Sequence, residues 1–284
     1  MIYLDCFTFP SADIEFNFFL QEGRTCYDSF YPFQVLSRHD FERIDFEPIT
    51  ILYGGNGSGK STALNVIAEK LGLKRDSIFN KSNFFENYLG MCSIHELNNI
   101  PAHSRIITSD DVFDYMLNIR NLNEGIDNRR EEIFEEFLDA KYAKVKMNSI
   151  EDYDLLKRTV KARKMTQSKF VRNELIDNVR EYSNGENAFL YFTEKIEEDG
   201  LYLLDEPENS LSSKRQLELM KFIEDSARFF GCQFVISTHS PFLLSMHGAK
   251  IYNLDEKPVT TRPWTELENV RTYYEFFKEH DGSF

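Results

Sequence analysis

Short apolar runs, bounded by polar or turn-forming residues, recur along the chain and predict the strands of an α/β fold. Three runs are continuous and end in polar residues, as in strands buried on both faces of a parallel sheet; they begin at Ile49, Leu201 and Gln233. The first run is followed by a Gly-rich segment and then by apolar residues at helical spacing from Ala63 to Ala68. We therefore predict a strand, a loop and a helix in this order.

The segment before this strand alternates apolar or aromatic runs with turn signals. Residues 1 to about 53 contain such signals at Pro10, Gly23, Pro32 and Pro48, which predicts several β-strands in an antiparallel arrangement. Behind the predicted helix, residues 74–101 are polar and broken, which favours loops with short helices. A further strand is predicted from Ser104, with acidic residues at its end.

Gly and Pro almost disappear between residue 112 and about residue 182, which predicts a helical insertion. The acidic segment Glu131–Leu138 has apolar positions three to four residues apart, as in an amphipathic helix. The segment Lys157–Arg172 contains seven basic residues and no acid. This lobe either contacts nucleic acid or presents solvated helix faces that pair with acidic neighbours, and the second interpretation is favoured. We expect a single domain over residues 1–284, with the insertion as a subdomain.

The composition is typical of a globular protein and argues against a membrane-spanning or secreted one. The 284 residues are 42% hydrophobic and 28% charged, as in globular proteins. No run of about eighteen apolar residues is long enough to span a bilayer, and the N-terminus lacks the basic region of a signal peptide. The four cysteines lack metal-ligand or redox spacing, so a cytoplasmic location is predicted. The net charge of −14 opposes general adhesion to nucleic acid or to an anionic membrane.

The Gly-rich segment Gly54–Thr62 fits the phosphate-binding pattern G-x-x-x-x-G-K-[ST]. Its glycines allow backbone N–H groups to turn inward around phosphate oxygens at the positive end of a helix dipole. Lys60 is expected to reach the β- and γ-phosphates, and the Ser61 hydroxyl to bind Mg²⁺. The predicted phosphate-binding residues are Gly55, Asn56, Gly57, Ser58, Gly59, Lys60, Ser61 and Thr62. One of the many aromatic residues before the loop is a candidate to stack on adenine, although a role in a sheet core is favoured.

The other two buried strands end in groups suited to phosphoryl transfer. Asp205 and Glu206 follow the strand from Leu201; Asp205 is the candidate Mg²⁺ ligand, and Glu206 is the candidate base that orients and deprotonates water. His239 follows the strand from Gln233 and is a candidate donor to the γ-phosphate. The alternative for His239 is an ordinary hydrogen-bonded residue at a strand end.

A second candidate anion site lies at Tyr182–Glu186, where a Ser/Gly turn opens an apolar-periodic helix. Its predicted binding residues are Ser183, Gly185 and Glu186. A chain with two phosphate-binding helix starts requires an explanation.

Together these motifs resemble the ABC-type ATPases. Gly54–Thr62 matches Walker A, Tyr182–Glu186 the LSGGQ/E signature, Leu201–Glu206 Walker B and His239 the switch histidine. The order and the intervals also fit, with 22 residues from Ser183 to Asp205 and 34 from Asp205 to His239. The segments Asp205–Ser212, Ile236–Pro241 and Ile251–Leu254 look like those of stand-alone AAA/ABC-type ATPases related to SMC, RecF and OLD-type proteins.

This resemblance implies a P-loop NTPase fold of the ABC-ATPase type, with a mixed central sheet flanked by helices. It also implies a head-to-tail homodimer that closes over ATP and Mg²⁺, so that Ser183 and Gly185 of one subunit face the phosphate loop of the other. Closure assembles the site and hydrolysis reopens it. The second anion-binding helix start is thereby explained.

The chain departs from the family pattern at three places. Asn184 stands at the first signature glycine, and Ser212 at the usual D-loop aspartate. No glutamine occurs between Gln34 and Gln167, so the Q-loop glutamine is missing. Asp110 is the candidate substitute and a candidate metal ligand, with Asp111 as the alternative.

The expected function is that of a soluble ATPase that acts on a macromolecular partner, either nucleic acid or an effector protein. A role in genome maintenance or phage defence is implied by the resemblance alone. The alternatives are a nucleotide-sensing scaffold without catalysis and, against the missing glutamine and the long charged insertion, the nucleotide-binding subunit of a membrane transporter.

Overall fold

The computed structural model describes residues 1–24, 26–143, 152–173, 175 and 184–283. The chain divides into two compact units. The first unit combines Met1–Asp114 with Asn184–Phe284, and the second is Tyr115–Ser183. The prediction of a single domain with a helical subdomain over about 112–182 stays a prediction.

A six-stranded mixed sheet forms the centre of the first unit. Its strands lie in the order β5-β6-β7-β3-β8-β9, and all neighbours are parallel except β8 and β9. The strands are β3 (Ile49–Tyr53), β5 (Arg105–Thr108), β6 (Leu201–Asp205), β7 (Gln233–Ser237), β8 (Lys250–Asn253) and β9 (Thr260–Thr261). The three continuous apolar runs are the adjacent strands β3, β7 and β6, so their polar ends meet at one edge of the sheet.

A second, antiparallel sheet has the order β2-β1-β4, formed by β1 (Leu4–Thr8), β2 (Arg43–Asp45) and β4 (Ser93–Glu96). The fully buried side chain of Gln233, at the start of β7, joins this sheet to the central one. Its Oε1 accepts from the N–H groups of Tyr3 at 2.8 Å and Leu4 at 2.9 Å, and its Nε2 donates to the carbonyl of Leu4 at 2.8 Å. The predicted N-terminal antiparallel part is confirmed.

Helices flank the sheets of the first unit: α1 (Ala12–Gln21), α2 (Lys60–Leu71), α3 (Phe85–Met91), α7 (Asn184–Lys195), α8 (Ser213–Phe229), α9 (Pro241–Leu244) and α10 (Glu268–Glu279). Helix α4 (Ser109–Tyr142) begins in the first unit and continues into the second. Short 3-10 turns lie at Ser37–His39, Pro207–Ser210, Trp264–Glu266 and Asp281–Ser283. A mixed sheet flanked by helices, with the phosphate loop between β3 and α2, is the predicted P-loop NTPase fold of the ABC type.

Three local predictions need correction. Residues 12–21 form a helix rather than a strand, because Ser11 caps it by accepting from the N–H of Ile14, and Phe18 and Phe19 of this helix pack on the core. The strand from Ser104 ends at Thr108, and the acids after it lie in the first turn of α4. The segment 74–101 contains α3, as predicted, but also β4, since residues 93–96 pair with β1.

The second unit is helical, as predicted, with α5 (Asp152–Lys164) and α6 (Gln167–Arg172) beside the distal part of α4. A small apolar core holds these helices together; it consists of Ile133, Phe137, Ala140, Ala162, Phe170 and Val171. The predicted amphipathic helix is confirmed, because Ile133 and Phe137 are buried. None of the helices in the described part of the chain is both long and apolar enough to cross a membrane.

Candidate nucleotide-binding site

The Gly-rich loop between β3 and α2 needs glycine at particular positions. Gly57 has φ +83° and Gly59 has φ +98°, both in the left-handed region that favours glycine. A Cβ on Gly59 would lie 2.9 Å from a methyl group of Leu36, and one on Gly54 would lie 2.7 Å from Ser58 Oγ. A side chain at Gly54 or Gly59 would collide with these neighbours, so only glycine fits at the two positions. The loop can therefore turn as observed and present its backbone N–H groups at the start of α2.

Lys60, the first residue of α2, folds back over the loop. Its side chain is 4% exposed, and Nζ donates to the carbonyls of Gly54 at 2.8 Å and Gly55 at 3.2 Å. The same Nζ lies 2.9 Å from His239 Nε2 and 3.8 Å from Glu206 Oε1. Burial lowers the pKa of Lys60, and the nearby carboxylates, Glu206 first among them, act in the opposite direction.

Asp205 ends β6 directly beside Ser237 of β7. Its Oδ1 accepts a hydrogen bond from Ser61 Oγ at 3.1 Å and another from Ser237 Oγ. Burial raises the pKa of Asp205, and these two hydrogen bonds oppose the shift. The structure therefore brings the two predicted metal ligands Ser61 and Asp205 together.

Glu206 follows with a left-handed backbone, φ 48° and ψ 54°, which is uncommon for a residue with a side chain. Its Oε1 lies 3.5 Å from His239 Nε2, and its Oε2 accepts from Asn209 Nδ2 at 3.0 Å. The backbone N–H of Glu206 donates to the carbonyl of Ser237 at 3.0 Å. The turn thus points the carboxylate at Lys60 and His239 rather than along the strand.

The structure adds residues to which the sequence analysis assigned no role. Glu208 and Asn269 bind the backbone of His239 through 2.6 Å hydrogen bonds to its N–H and its carbonyl, respectively. Burial raises the pKa of Glu208.

Two further side chains contact the phosphate loop and the start of α2. Asp255 accepts from the N–H of Gly55 at 2.7 Å, and the Tyr31 hydroxyl donates to Thr62 Oγ1 at 3.2 Å. Tyr31 was one of the aromatic candidates, but nothing in its local sequence pattern distinguishes it from the others.

The two acids after β5 have different surroundings. Asp111 is buried, and its Oδ2 accepts from the N–H of Thr108 at 2.7 Å and from Thr108 Oγ1 at 2.9 Å. Because the N–H of Asp111 donates back to Thr108 Oγ1 at 3.3 Å, Asp111 forms a capping box at the start of α4. Asp110 is exposed, and no hydrogen bond within the described residues joins it to Ser61 or Asp205. A metal-binding role for Asp110 stays a prediction.

Of the predicted signature residues, Gly185 and Glu186 lie at the start of α7. Gly185 is close to the 3-10 turn at Pro207–Ser210, since a Cβ there would lie 3.5 Å from the carbonyl oxygen of Ser210. Glu186 Oε1 lies 3.4 Å from Arg215 Nη2 on α8. Ser183 falls outside the described residues, so its predicted role is untested.

The residues present fit a nucleoside triphosphate with a divalent cation. Ser58 Oγ is buried in the loop and has no hydrogen-bond partner, so it is available to a phosphate. A cradle of N–H groups at a helix start, with one buried ammonium group, suits an anion. The Ser61 hydroxyl and the Asp205 carboxylate provide the hard oxygen donors that Mg²⁺ prefers.

Comparison with known proteins identifies one matching family. The family model described as "AAA domain, putative AbiEii toxin, Type IV TA system" matches residues 68–245. An uncharacterised ABC transporter ATP-binding protein of Methanocaldococcus jannaschii is 26% identical over 247 residues, which cover 85% of this chain and 85% of that protein.

Two solved structures are similar to the chain at low identity. The Smc head domain of Pyrococcus furiosus, bound to the C-terminal domain of ScpA, has 14% identity and a TM-score of 0.39, with 84% of this chain and 94% of that chain covered. A dimeric ATP-binding cassette bound to ADP and phosphate has 15% identity and a TM-score of 0.37, with 79% and 90% covered. The fold assignment therefore rests on the strand order and the phosphate loop of the chain itself.

The family match begins behind the phosphate loop and includes Asp205, Glu206 and His239. The phosphate loop, Asp205, Glu206 and His239 meet at one edge of the sheet. Because the family model matches more than half of the chain, the chain belongs to this family of AAA domains and is a P-loop NTPase of the ABC type.

Proposed function

We propose that the chain is a Mg²⁺-dependent ATP hydrolase that closes as a head-to-tail homodimer around ATP and reopens after hydrolysis. The observation that carries the proposal is the convergence of Lys60, Glu206 and His239, which lie within 4 Å of one another although they come from three separate elements. One is a cation, one a carboxylate and one an imidazole. This is the set of groups needed to bind a γ-phosphate and to activate water beside it.

Lys60 is the residue that binds the β- and γ-phosphates. The buried ammonium group is positioned by two loop carbonyls and faces the imidazole of His239. A phosphate oxygen can replace His239 Nε2 as the acceptor from Lys60 Nζ, and the imidazole can then donate to the phosphate in the tautomer that carries the proton on Nε2. Both groups lie at the site before the ligand arrives, which lowers the cost of binding. Ser61 and Asp205 hold Mg²⁺, which supplies charge neutralisation for the phosphates.

Glu206 acts as the general base. Its Oε2 is fixed by the amide of Asn209, so Oε1, which faces Lys60 and His239, is the oxygen placed to accept a proton from water near the γ-phosphate. The strained backbone of Glu206 supports this assignment, since such conformations occur most often at functional sites.

The second subunit contributes the start of its α7. Gly185 and Glu186 lie there, and the preceding Ser183 completes the signature. A helix start is a second cradle for the same triphosphate when two subunits meet head to tail. Dimerisation thus depends on nucleotide, because the phosphates bridge two surfaces that each carry half of the site.

The partner is macromolecular, either an effector protein or nucleic acid. The matching family is described as a putative toxin of a type IV system, which supports a defence or genome-maintenance role. The acid-free segment Lys157–Arg172 supports nucleic acid as the partner. The archaeal relative is named as an ABC transporter ATP-binding protein, which favours a second candidate, the nucleotide-binding subunit of a transporter; co-purification with a polytopic membrane protein would support it.

The deciding experiment compares Lys60→Ala and Glu206→Gln with the wild type and with the control Glu224→Gln, whose carboxylate on α8 accepts from the N–H of His247. Wild type and control should hydrolyse ATP only with Mg²⁺. Lys60→Ala should lose nucleotide binding. Glu206→Gln should bind ATP, lose turnover and accumulate as a dimer in light scattering.

Other outcomes separate the alternatives. Hydrolysis by Glu206→Gln at the wild-type rate would remove Glu206 as the base. An ATP-dependent dimer without turnover in the wild type would make the chain a nucleotide-sensing scaffold. A pull-down with the trapped Glu206→Gln dimer then identifies the partner class.

A further inference from the structure

His239 is held through its backbone from two sides. On the N–H side, the carboxylate of Glu208 accepts from the N–H of His239 at 2.6 Å. On the carbonyl side, the side chain of Asn269, in the first turn of α10, donates to the carbonyl of His239 at 2.6 Å. Glu208 and Asn269 lie 31 and 30 residues away in sequence. Glu208 lies in the segment Asp205–Ser212 that carries the family resemblance, but the sequence analysis gave it no role, and Asn269 lies outside all the motifs.

Glu208 makes an unusually dense set of bonds with this loop. One oxygen, Oε1, accepts from the N–H of His239, from the N–H of Ser240 at 3.1 Å and from the hydroxyl of Thr238 at 2.7 Å. The other oxygen, Oε2, is buried and has no partner. A single carboxylate oxygen with three donors fixes the direction of three consecutive residues, since charge-assisted hydrogen bonds are short and strong.

Capping of the next helix does not explain these bonds. Helix α9 starts at Pro241, and its N-cap is Ser240, whose Oγ already accepts from the N–H of Leu243. Glu208 binds the residues before that helix, where His239 projects toward Lys60 and Glu206. The bonds of Glu208 therefore set the loop that carries the imidazole.

The position of Glu208 links the loop of residues 238–240 to the proposed base Glu206. Glu208 lies in the 3-10 turn Pro207–Ser210, two residues after Glu206. The next residue, Asn209, donates to the Glu206 carboxylate at 3.0 Å. One short turn thus orients the base through Asn209 and the histidine loop through Glu208.

We propose that Glu208 is a positioning residue that sets the imidazole of His239 by holding the backbone of residues 238–240, so that the turn carrying the base also places the γ-phosphate donor. Glu208 acts through the loop and does not itself touch the nucleotide. The effect of Glu208 on the rate rests on the proposed ATP hydrolysis, whereas its effect on the position of the His239 imidazole does not depend on that proposal.

The first test needs no turnover. The imidazole signals of the six histidines are followed by NMR in protein labelled at histidine, and the His239 signal is assigned from its loss in His239→Ala. Glu208→Ala should move the His239 signal. The control is Glu224→Ala, which removes a carboxylate that accepts from another backbone N–H, that of His247, at 2.7 Å. The control should leave His239 unchanged.

The second test measures single-turnover hydrolysis and nucleotide affinity. Glu208→Ala should slow hydrolysis by about 10- to 100-fold, the order expected for a misplaced catalytic group, while nucleotide affinity changes by less than about threefold. Glu208→Gln should restore most of the rate, because its amide oxygen can accept the same three bonds. In a His239→Ala background, Glu208→Ala should cause no further loss.

Three results would overturn the proposal: an unmoved His239 signal in Glu208→Ala, a wild-type rate in that variant, or fully additive losses in the double variant. If Glu208→Ala does not fold, Thr238→Val removes one of the three donors and must still move the His239 signal. If the wild type does not hydrolyse ATP but the His239 signal responds as expected, the hydrolase proposal fails and the positioning role of Glu208 stands.

Discussion

Lys60 Nζ and His239 Nε2 lie 2.9 Å apart although 179 residues separate them in sequence. The contact exists because β3 and β7 are adjacent parallel strands, with Leu52 beside Ser237, so the loops that leave their carboxyl ends meet. The phosphate loop and the histidine after β7, which the sequence motifs identify separately, are thus parts of one site.

Replacing Gly59 with alanine should damage the phosphate loop more than the fold. Gly59 has φ +98°, and a Cβ would lie 2.9 Å from a Leu36 methyl group, so the loop must shift. We expect a loss of about 1–3 kcal/mol in the free energy of unfolding and at least a tenfold loss of nucleotide affinity.

The control for Gly59 is Gly72→Ala at the C-cap of α2. Gly72 has φ +63°, and a Cβ there would have no neighbour within 4 Å. It should cost about 1 kcal/mol of stability and leave nucleotide affinity unchanged. Equal affinities for the two variants in equilibrium binding would contradict the role of the loop geometry.

Gln233→Ala should weaken the junction between the two sheets. The substitution removes hydrogen bonds to the N–H groups of Tyr3 and Leu4 and to the carbonyl of Leu4, and leaves those groups buried without partners. The expected loss is about 2–5 kcal/mol in the free energy of unfolding, measured by urea denaturation. The exposed Gln21→Ala is the matched control and should change stability by less than about 0.5 kcal/mol. A wild-type midpoint for Gln233→Ala would show that the junction does not depend on this amide.

The four thiols should differ sharply in reactivity. Burial raises the pKa of Cys92 to about 12 and also raises that of Cys232, whereas Cys26 is exposed. Because the thiolate is the nucleophile, a raised pKa lowers the reactive fraction at about pH 8. Iodoacetamide followed by mass spectrometry should label Cys26 in the native protein, and Cys92 and Cys232 only after denaturation.

The pKa shift of Cys92 also predicts how stability depends on pH. The thiol of the unfolded chain has the ordinary pKa of 9.0, whereas burial raises the pKa of the folded thiol to about 12. The contribution of Cys92 to stability is therefore complete below about pH 9 and declines as the pH rises toward about 12. Rapid labelling of Cys92 in the native protein would contradict its burial.

Binding of nucleic acid should depend more on Lys164 and Lys169 than on Arg163 and Lys161, whose side chains contact other groups of the second unit. Arg163 donates to the carbonyls of Lys141 at 3.2 Å and Ala143 at 2.8 Å, and Lys161 Nζ lies 5.2 Å from the centre of the Phe170 ring. The side chains of Lys164 and Lys169 are exposed. Lys164→Glu with Lys169→Glu should therefore weaken salt-sensitive DNA binding and reduce its salt slope, measured by fluorescence anisotropy with ATP.

The control for this surface is Arg163→Ala, which should lower the melting temperature more than it lowers DNA affinity. If the wild type shows no salt-sensitive binding to DNA, the segment Lys157–Arg172 is a solvated helix face, the interpretation favoured from its sequence.

Some elements of the fold cannot be predicted from their local sequence, because contacts with distant parts of the chain determine them. Residues 93–96 are a strand only because β1, about ninety residues earlier, offers an edge, and nothing in their local pattern separates them from a loop. The helix at Ala12–Gln21 has many aromatic residues, which favour strands in isolation; the Ser11 cap and packing on the core outweigh that preference. Asp111 matches a metal ligand by residue type, and only the structure shows that it also caps α4 through Thr108; its metal-binding role stays a prediction.

The sequence by itself determined the groups that lie close along the chain: the loop Gly54–Thr62 between a strand and a helix, the carboxylates at the end of β6 and the histidine after β7. Spacing and residue type suffice there, because backbone direction and strand ends are local properties. Only the tertiary structure decided which hydrogen bonds position these groups and join the two sheets. Glu208 and Asn269 meet His239 across about thirty residues each, and Gln233 joins the N-terminal strand to the central sheet. Such hydrogen bonds depend on which strands and helices pack side by side, and the arrangement of the whole core fixes that choice.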